Sequence, residues 1–349
     1  MADEYFIYRN SDTEPVPAVT HLMFDDNFDR EIDIPDTITH LIFGWRYNQP
    51  THLPPNITKL TFGSNYNQQT DLPAAITHLT FGSYYNRPIH LPSSITHLTF
   101  GSHYDQPTHL PPSITHLTFG WKYNQPTTLP PAITHLTFSY NYNQPTHLPD
   151  TITHLHFGYD YNQPTTIPPM ITHLTFDGEY NQPTHLPDTI THLRFGYDYN
   201  QPTTLPLMIT HLTFGGRYNR PVILPNTITH LTFGDRYNQP THLPPAITHL
   251  TFGDRYNQRT HLPDTITHLT FGIKYDQPTH LPPYLESFIL ENRNNYTQYK
   301  EQLLNKPYLI YTNISDKDIQ HRIYINRINK HNLEKISIVL TKLCLSLIN

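Results

Sequence analysis

A nineteen-residue pattern repeats along most of this chain without an insertion or deletion. Its clearest copy runs from Leu110 to Thr128 and reads LPPSITHLTFGWKYNQPTT. A strict short period is typical of a solenoid, because each unit can bury its apolar side only against its neighbours. The spacing therefore predicts successive turns of equal contour length. The phenylalanines that recur every nineteen residues are Phe24, Phe43, Phe62, Phe81, Phe100, Phe119, Phe138, Phe157, Phe176, Phe195, Phe214, Phe233, Phe252 and Phe271.

Each copy carries a strand signature followed by a turn signature. In one copy, Leu60 and Phe62 alternate with Thr61, which predicts a strand with its aliphatic side facing inward. Gly63 is expected to end this strand, since a residue without Cβ tolerates the dihedral angles of a turn. Pro54, on the return side, forbids a helix and favours an extended polyproline-like path. We therefore expect one short parallel strand per turn, with turns about 4.8 Å apart.

Two columns of the repeat are predicted to hold the turns together. The phenylalanine column should form a shared apolar spine. An Asn or Asp follows the Tyr or Phe of the turn in every copy, and we expect it to bond backbone groups of the adjacent turn inside the bend. The residues assigned to these ladders are Phe43, Phe62, Phe81, Phe100, Phe119, Asn48, Asn67, Asn86 and Asn124.

The ends of the chain depart from the repeat. Residues 1–17 are predicted to form an N-terminal cap with a strand within Tyr5–Tyr8, and residues 18–284 the repeat solenoid. Residues 285–349 are predicted to form a partly helical C-terminal cap, which begins with a degenerate copy whose Leu290 takes the phenylalanine position. A separate small partner-binding module is the alternative for this segment. Its helix-like stretches lie around Asn295–Asn305 and Asn332–Leu347, and a strand is predicted within Tyr308–Tyr311.

Histidine forms the most conspicuous polar column of the sequence. It precedes the strand leucine as His21, His40, His78, His97, His116, His135, His154, His173, His192, His211, His230, His249 and His268. Lys59 takes this position in the remaining turn. Stacked imidazoles are candidate metal ligands, but a functional metal site normally combines mixed ligands at one place. We therefore expect an outward-facing stacking ladder without a metal site, in which mutual repulsion opposes protonation.

The neighbouring threonine column raises a structural alternative, a flat threonine array of the ice-binding kind. It is not favoured, because histidine occupies the partner column. Ile42, His156 and Arg194 also interrupt the threonines.

The copies differ mainly in two adjacent residues that follow the glycine position. Aromatic and arginine side chains are favoured anchors of protein interfaces, so a binding surface is predicted along this variable pair. The alternative is a solvent-exposed turn that drifts without function. The candidate partner-binding residues are Trp45, Arg46, Tyr84, Trp121, Lys122, Tyr140, Tyr159, Tyr197, Arg217, Arg236 and Arg255.

Charge and composition narrow the classes of partner. The formal charge is −6, and the residues before Leu285 hold thirteen Lys/Arg against twenty-two Asp/Glu. Such an acidic array argues against a phosphate backbone, so no nucleic-acid partner is expected. The sequence MADEYFIYRN has no apolar signal region, and no segment approaches eighteen uncharged apolar residues. We expect a soluble protein of the cytoplasm with no membrane partner.

No motif indicates catalysis. The sequence lacks a glycine-rich phosphate loop, an HExxH motif and a nucleophile elbow. Its acidic residues are dispersed, whereas catalytic carboxylates cluster at one site. The single cysteine, Cys344, excludes an intramolecular disulfide and lies in an apolar tail without an electropositive setting. We expect no enzyme activity, no catalytic residue and no cofactor.

The motif ITHLTFG-x-x-YNQP resembles the FNIP repeat, a leucine-rich-repeat relative abundant in slime moulds and in giant viruses of amoebae. Its signature appears here as Tyr47-Asn48-Gln49-Pro50 and its equivalents, and the resemblance covers about residues 18–284. The spacing is also similar to that of the short leucine-rich repeats of bacterial effectors. The fold class predicted is mainly β, a right-handed leucine-rich-repeat-like solenoid of about fourteen turns. No convex helices are expected, and an α-containing cap is expected at the C-terminus.

The resemblance also carries expectations about function. Members of the family in giant viruses often carry an F-box before the repeats, which makes them substrate-recognition arms of host ubiquitin ligases. Fewer than twenty residues precede the first turn here, so no F-box is expected. The leading hypothesis is a non-enzymatic scaffold for protein–protein interaction, with host proteins among the candidate partners. The alternatives are a structural or assembly protein and a component related to ubiquitin-ligase adaptors, and the oligomeric state is left open.

Overall fold

The computed structural model describes residues 4–292, Tyr299 and residues 309–311. These residues form a parallel β-solenoid of about fifteen turns of about nineteen residues, and apart from Tyr299 no described residue is helical. The described part of the chain has no helix long and apolar enough to cross a membrane. The strands are β1 (Phe6–Tyr8), β2 (His21–Phe24), β3 (His40–Ile42), β4 (Lys59–Thr61), β5 (His78–Thr80), β6 (His97–Thr99), β7 (His116–Thr118), β8 (His135–Thr137), β9 (His154–Phe157), β10 (His173–Phe176), β11 (His192–Arg194), β12 (His211–Thr213), β13 (His230–Thr232), β14 (His249–Thr251), β15 (His268–Phe271), β16 (Ser287–Leu290) and β17 (Leu309–Tyr311).

The chain divides into two compact units, Met1–Ile209 and Thr210–Asn349. In the first unit, β1 to β11 follow one another as parallel neighbours, and each repeat strand pairs with the same repeat position of the next. In the second unit, β12 to β17 pair in the same way. The unbroken register confirms that each copy contributes one parallel strand.

The apolar side chains of each copy pack into a continuous core. In the sixth turn, Leu110, Ile114, Leu117, Phe119 and Tyr123 are all buried. The ring of Phe119 stacks on that of Tyr123 within its own turn, with centroids 4.1 Å apart. It also stacks on Phe100 of the preceding turn at 5.9 Å. The predicted phenylalanine spine is confirmed, and a buried tyrosine column runs beside it.

The asparagine ladder connects successive turns as predicted, through side chains that are half-buried or exposed. The backbone N–H of Asn124 donates to Oδ1 of Asp105, and that of Asn143 donates to Oδ1 of Asn124, both at 3.0 Å. Gln144 Nε2 adds a bond of 3.1 Å to the same Asn124 oxygen. The side chain of Asn124 thus bonds the following turn, while its own backbone N–H bonds the preceding one.

The recurring glycine is required for a reason other than the predicted turn dihedral angles. Among the described glycines, only Gly178 has a positive φ, of 32°. A Cβ placed on Gly101 would lie 1.8 Å from the carbonyl oxygen of Gly82 in the preceding turn. At Gly101 the absence of a Cβ therefore permits the close approach of the neighbouring backbone, whereas Ser139 and Asp177 carry a side chain at the same repeat position.

Both ends of the solenoid close with a change of ring orientation. Tyr8 of β1 meets Phe24 edge-on, with an interplanar angle of 78°. At the other end, Leu290 of β16 pairs with Phe271, as predicted for the last degenerate copy. Phe288 stands edge-on to Phe271 at 85°. The strand predicted within Tyr308–Tyr311 is present as β17, whereas the predicted helical stretches lie outside the described residues apart from Tyr299, which is helical.

Candidate binding ridge

The variable pair of each repeat occupies the two central positions of a tight turn. In the sixth turn, the backbone N–H of Tyr123 donates to the carbonyl of Gly120 at 3.3 Å. The backbone N–H of Lys122 donates to the carbonyl of Ser102 in the preceding turn at 2.9 Å. These bonds hold the backbone of the turn in place without any help from the variable side chains. The side chains are therefore free to differ from one copy to the next.

All the candidate partner-binding residues are exposed. Trp45 and Trp121 keep 58% and 56% of their surface accessible. The candidates in the first unit are Trp45, Arg46, Tyr84, Trp121, Lys122, Tyr140, Tyr159 and Tyr197, and those in the second are Arg217, Arg236 and Arg255. Their position on the surface agrees with the prediction, while their role in binding stays a prediction.

Three of these side chains form one continuous stack, which we call the aromatic ridge. The rings of Trp121 and Tyr140 lie 4.5 Å apart at 16°, and those of Tyr140 and Tyr159 lie 4.8 Å apart at 3°. The ring of Tyr159 covers Gly178: a Cβ added to Gly178 would lie 2.5 Å from Cγ of Tyr159. The ridge thus spans three consecutive turns and ends on the backbone of a fourth.

Tyr84 and Trp45 stand apart from this stack. Tyr84 has a ring neighbour in His103, with centroids 4.8 Å apart and planes inclined at 32°. Trp45 is followed in the next turn by Ser64, whose small side chain offers no ring to stack on. The repeat pattern alone does not distinguish these aromatic residues, whereas the structure does.

A charged cluster next to the ridge was missed by the sequence reasoning. Nε2 of His156 lies 2.7 Å from Oδ2 of Asp177, and Nε of Arg194 lies 4.0 Å from Oδ1 of the same carboxylate. The hydrogen bond from His156 is the largest cause that lowers the pKa of Asp177. Asp177 precedes Gly178, on which the Tyr159 ring lies.

The signal for this cluster was present in the sequence as three departures in three consecutive copies. His156 and Arg194 stand where most copies have threonine, and Asp177 stands where most have glycine. In-register pairing places Thr175 between His156 and Arg194, and the carboxylate of Asp177, two residues further on, reaches both.

Two further carboxylates lie beside the ridge. Asp160 follows Tyr159, and Glu179 follows Gly178. Partial desolvation raises the pKa of the exposed Tyr140 hydroxyl, and Tyr159, Asp160 and Glu179 raise it further. Lys122 and Asn141 take the same repeat position beside Trp121 and Tyr140, so the negative charge lies at the Tyr159 end of the ridge.

The histidine column forms the predicted ladder of stacked rings. His116 stacks on His97 at 4.1 Å and on His135 at 4.2 Å. Its Nδ1 lies 2.9 Å from the hydroxyl of Thr115. Burial is the largest cause that lowers the pKa of His116, and the neighbouring histidines lower it further. The prediction had named repulsion alone, but the rings are half-buried within the ladder, so desolvation contributes more.

Stacked parallel imidazoles do not converge on one point, so the geometry does not favour a metal centre. Within residues 4–292 and the other described positions, no group of three or more His, Cys, Asp or Glu side chains is placed to hold a metal ion.

The chain is similar to proteins with repeat folds. A family model described as FNIP Repeat matches residues 47–84, 69–103, 85–122, 104–141, 123–160, 142–178, 161–198, 180–204, 199–236 and 237–274. Among curated proteins, none matches the chain.

Two solved structures place the fold among leucine-rich-repeat proteins. CroV588, described as a circular leucine-rich-repeat protein and coming from a giant virus, superimposes with a TM-score of 0.71 and 35% sequence identity. The match covers 83% of this chain and 50% of CroV588, so the chain spans half the length of that protein. YopM from Yersinia enterocolitica superimposes with a TM-score of 0.57 and 17% identity, over 79% of this chain and 69% of YopM. The likeness to YopM concerns the fold alone.

Proposed function

Because the chain belongs to the FNIP repeat family, we propose that it is a non-enzymatic scaffold that binds another protein through the aromatic ridge. Leucine-rich-repeat-like solenoids are typically used for protein–protein interaction and are typically non-catalytic. Since CroV588 comes from a giant virus, the proposed partner is a host protein and the proposed place of action is the host cytoplasm.

The observation that carries the proposal is the stack of Trp121, Tyr140 and Tyr159. Tryptophan and tyrosine are enriched among the few residues that supply most of the binding energy in interfaces. The stack holds its rings at fixed spacing, so little side-chain entropy remains to be lost when a partner binds. The backbone that carries these rings is held by hydrogen bonds between turns; for example, the N–H of Asp160 donates to the carbonyl of Tyr140 at 2.9 Å. Exposed rings on a rigid backbone form a pre-organised contact surface.

The proposal is tested by affinity capture from host-cell extract with the full chain and with a Trp121→Ala/Tyr140→Ala/Tyr159→Ala variant. The matched control is Trp45→Ala, which removes an equally exposed tryptophan outside the ridge. We expect the wild type and the control to retain the same discrete partner and the triple variant to lose it. Circular dichroism confirms that each variant is folded.

An unchanged partner with the triple variant would show that the ridge is not the contact surface. Recovery of the chain alone would instead favour a structural or assembly role, in which the repeats mainly set length. Recovery of ligase scaffold proteins would point to the adaptor role, which we do not expect.

A further inference from the structure

The border of the aromatic ridge has a fixed geometry. The backbone N–H of Glu179 donates to the carbonyl of Tyr159 at 2.8 Å, just as Asp160 bonds to Tyr140. Asp160 and Glu179 occupy the same position in consecutive turns, so their Cα atoms are one turn apart, about 4.8 Å. Two carboxylates are thus held in a row at one end of the ridge, Asp160 beside Tyr159 and Glu179 beside Gly178, while Lys122 and Asn141 take the same position beside Trp121 and Tyr140.

These carboxylates differ from Asp177, the acid that precedes Gly178. Asp177 already faces His156 and Arg194. Among the residues that the structure describes, Asp160 and Glu179 have no ion-pair partner, and Glu179 is exposed. Their charges are therefore available to a group that arrives from outside.

A long cationic side chain fits this combination of apolar rings and free carboxylates. Lysine and arginine lay their aliphatic stems on apolar surface while the charged head reaches a polar partner. Arginine also stacks on aromatic rings and pairs with carboxylates in a planar fork. An acidic segment would meet like charge at the same place, and a nucleic-acid backbone would be repelled in the same way. We propose that the ridge, with Asp160 and Glu179, docks a protein segment rich in lysine and arginine.

This inference rests on the proposed function, because it names the chemistry of the partner that the ridge would bind. A second copy of the chain is the other occupant to consider, since Arg217, Arg236 and Arg255 recur once per turn in the second unit. Sedimentation of the wild type and of Asp160→Asn/Glu179→Gln separates the two. If the wild type self-associates and the variant does not, the occupant is a second copy and the proposal is wrong.

The direct test selects binders from a display library of random peptides on the immobilised full chain and measures their affinity for variants. The Asp160→Asn/Glu179→Gln variant removes both border charges. The matched control, Asp150→Asn/Asp188→Asn, removes two exposed carboxylates from turns of the same unit on the other side of the strand. We expect the selected peptides to be net positive. Their affinity should fall about tenfold with Asp160→Asn/Glu179→Gln and change less than about twofold with the control. At about 0.5 M salt the difference in affinity between the wild type and Asp160→Asn/Glu179→Gln should be smaller.

The failures of the two proposals are distinguishable. Neutral or acidic peptides that lose binding with Trp121→Ala/Tyr140→Ala/Tyr159→Ala would overturn the charge inference and leave the ridge as the binding surface. Basic peptides unaffected by Asp160→Asn/Glu179→Gln would overturn the charge inference as well. Peptides that bind the Trp121→Ala/Tyr140→Ala/Tyr159→Ala variant as tightly as the wild type would overturn the proposed function.

Discussion

The hydroxyl of Tyr104 hydrogen-bonds the hydroxyl of Thr108, four residues further along the chain. Thr108 donates in turn to the carbonyl of Gln106 at 3.0 Å. The buried Tyr104 hydroxyl therefore has an acceptor in the Thr108 oxygen. The same pair recurs in most turns and lets a tyrosine occupy the core. Its polar tip would otherwise be buried at a cost of about 1–3 kcal/mol.

Tyr85 provides a natural comparison, because Ile89 replaces the threonine in its turn. The Tyr85 hydroxyl is buried and has no hydrogen-bond partner among the described residues. We predict that Tyr85→Phe is neutral or stabilising, whereas Tyr104→Phe lowers the free energy of unfolding by about 1 kcal/mol. Urea unfolding of both variants measures this difference. Equal losses would show that the Tyr104 bond contributes nothing.

The glycine column gives a second prediction. Gly101→Ala would place a methyl group 1.8 Å from the Gly82 carbonyl oxygen. Because that contact is with backbone, we expect a loss of about 3 kcal/mol of stability, at the upper end of the usual cost of overpacking. Ser139→Ala is the control at the same repeat position. It removes only a bond of 2.6 Å from Ser139 Oγ to the Tyr123 carbonyl and should cost about 1–2 kcal/mol. A Gly101→Ala variant as stable as the control would refute the steric explanation.

The histidine ladder predicts that acid weakens the fold. Burial and neighbouring charges lower the pKa values of His78, His97, His116 and His154 below the ordinary 6.5. The unfolded chain therefore binds more protons than the folded chain as pH falls below about 6.5, so stability present above that pH is lost. For His78, the charge of Lys59 in the same column adds to the effect of burial.

Urea unfolding midpoints at about pH 7.5 and 5.5, the range in which histidine titrates, test this linkage. We expect a lower midpoint at the acid pH and a smaller difference for His97→Gln/His116→Gln. The control His109→Gln/His147→Gln replaces two exposed histidines outside the ladder and should keep the wild-type dependence. A wild-type midpoint that does not move between the two pH values would contradict the prediction.

The period of the sequence was enough to predict the strands, their register and the inward columns. Phe119 and its equivalents could be assigned because spacing alone fixes which residues meet between neighbouring turns. The role of Gly101 could not, since it depends on how closely two backbones approach. The contact between Asp177 and His156 was not predicted either, although the three departures were visible, because it joins different repeat positions. Exposure of Trp45 and Trp121 followed from the pattern, but only the structure shows that Trp121 has a stacking neighbour.

The central claim is that the core builds the fold while the ridge makes contacts. Comparing the free energies of unfolding of Phe119→Ala and Trp121→Ala tests it most directly. Both residues lie in the sixth turn, the first buried and the second 56% exposed. We predict that Phe119→Ala lowers the free energy of unfolding by about 3–5 kcal/mol, through a cavity in the spine. Trp121→Ala should cost only about 0.5–1.5 kcal/mol, the value of one aromatic stack. Equal destabilisation by the two substitutions would mean that the ridge is part of the structural framework, and would contradict its assignment as a surface kept for binding.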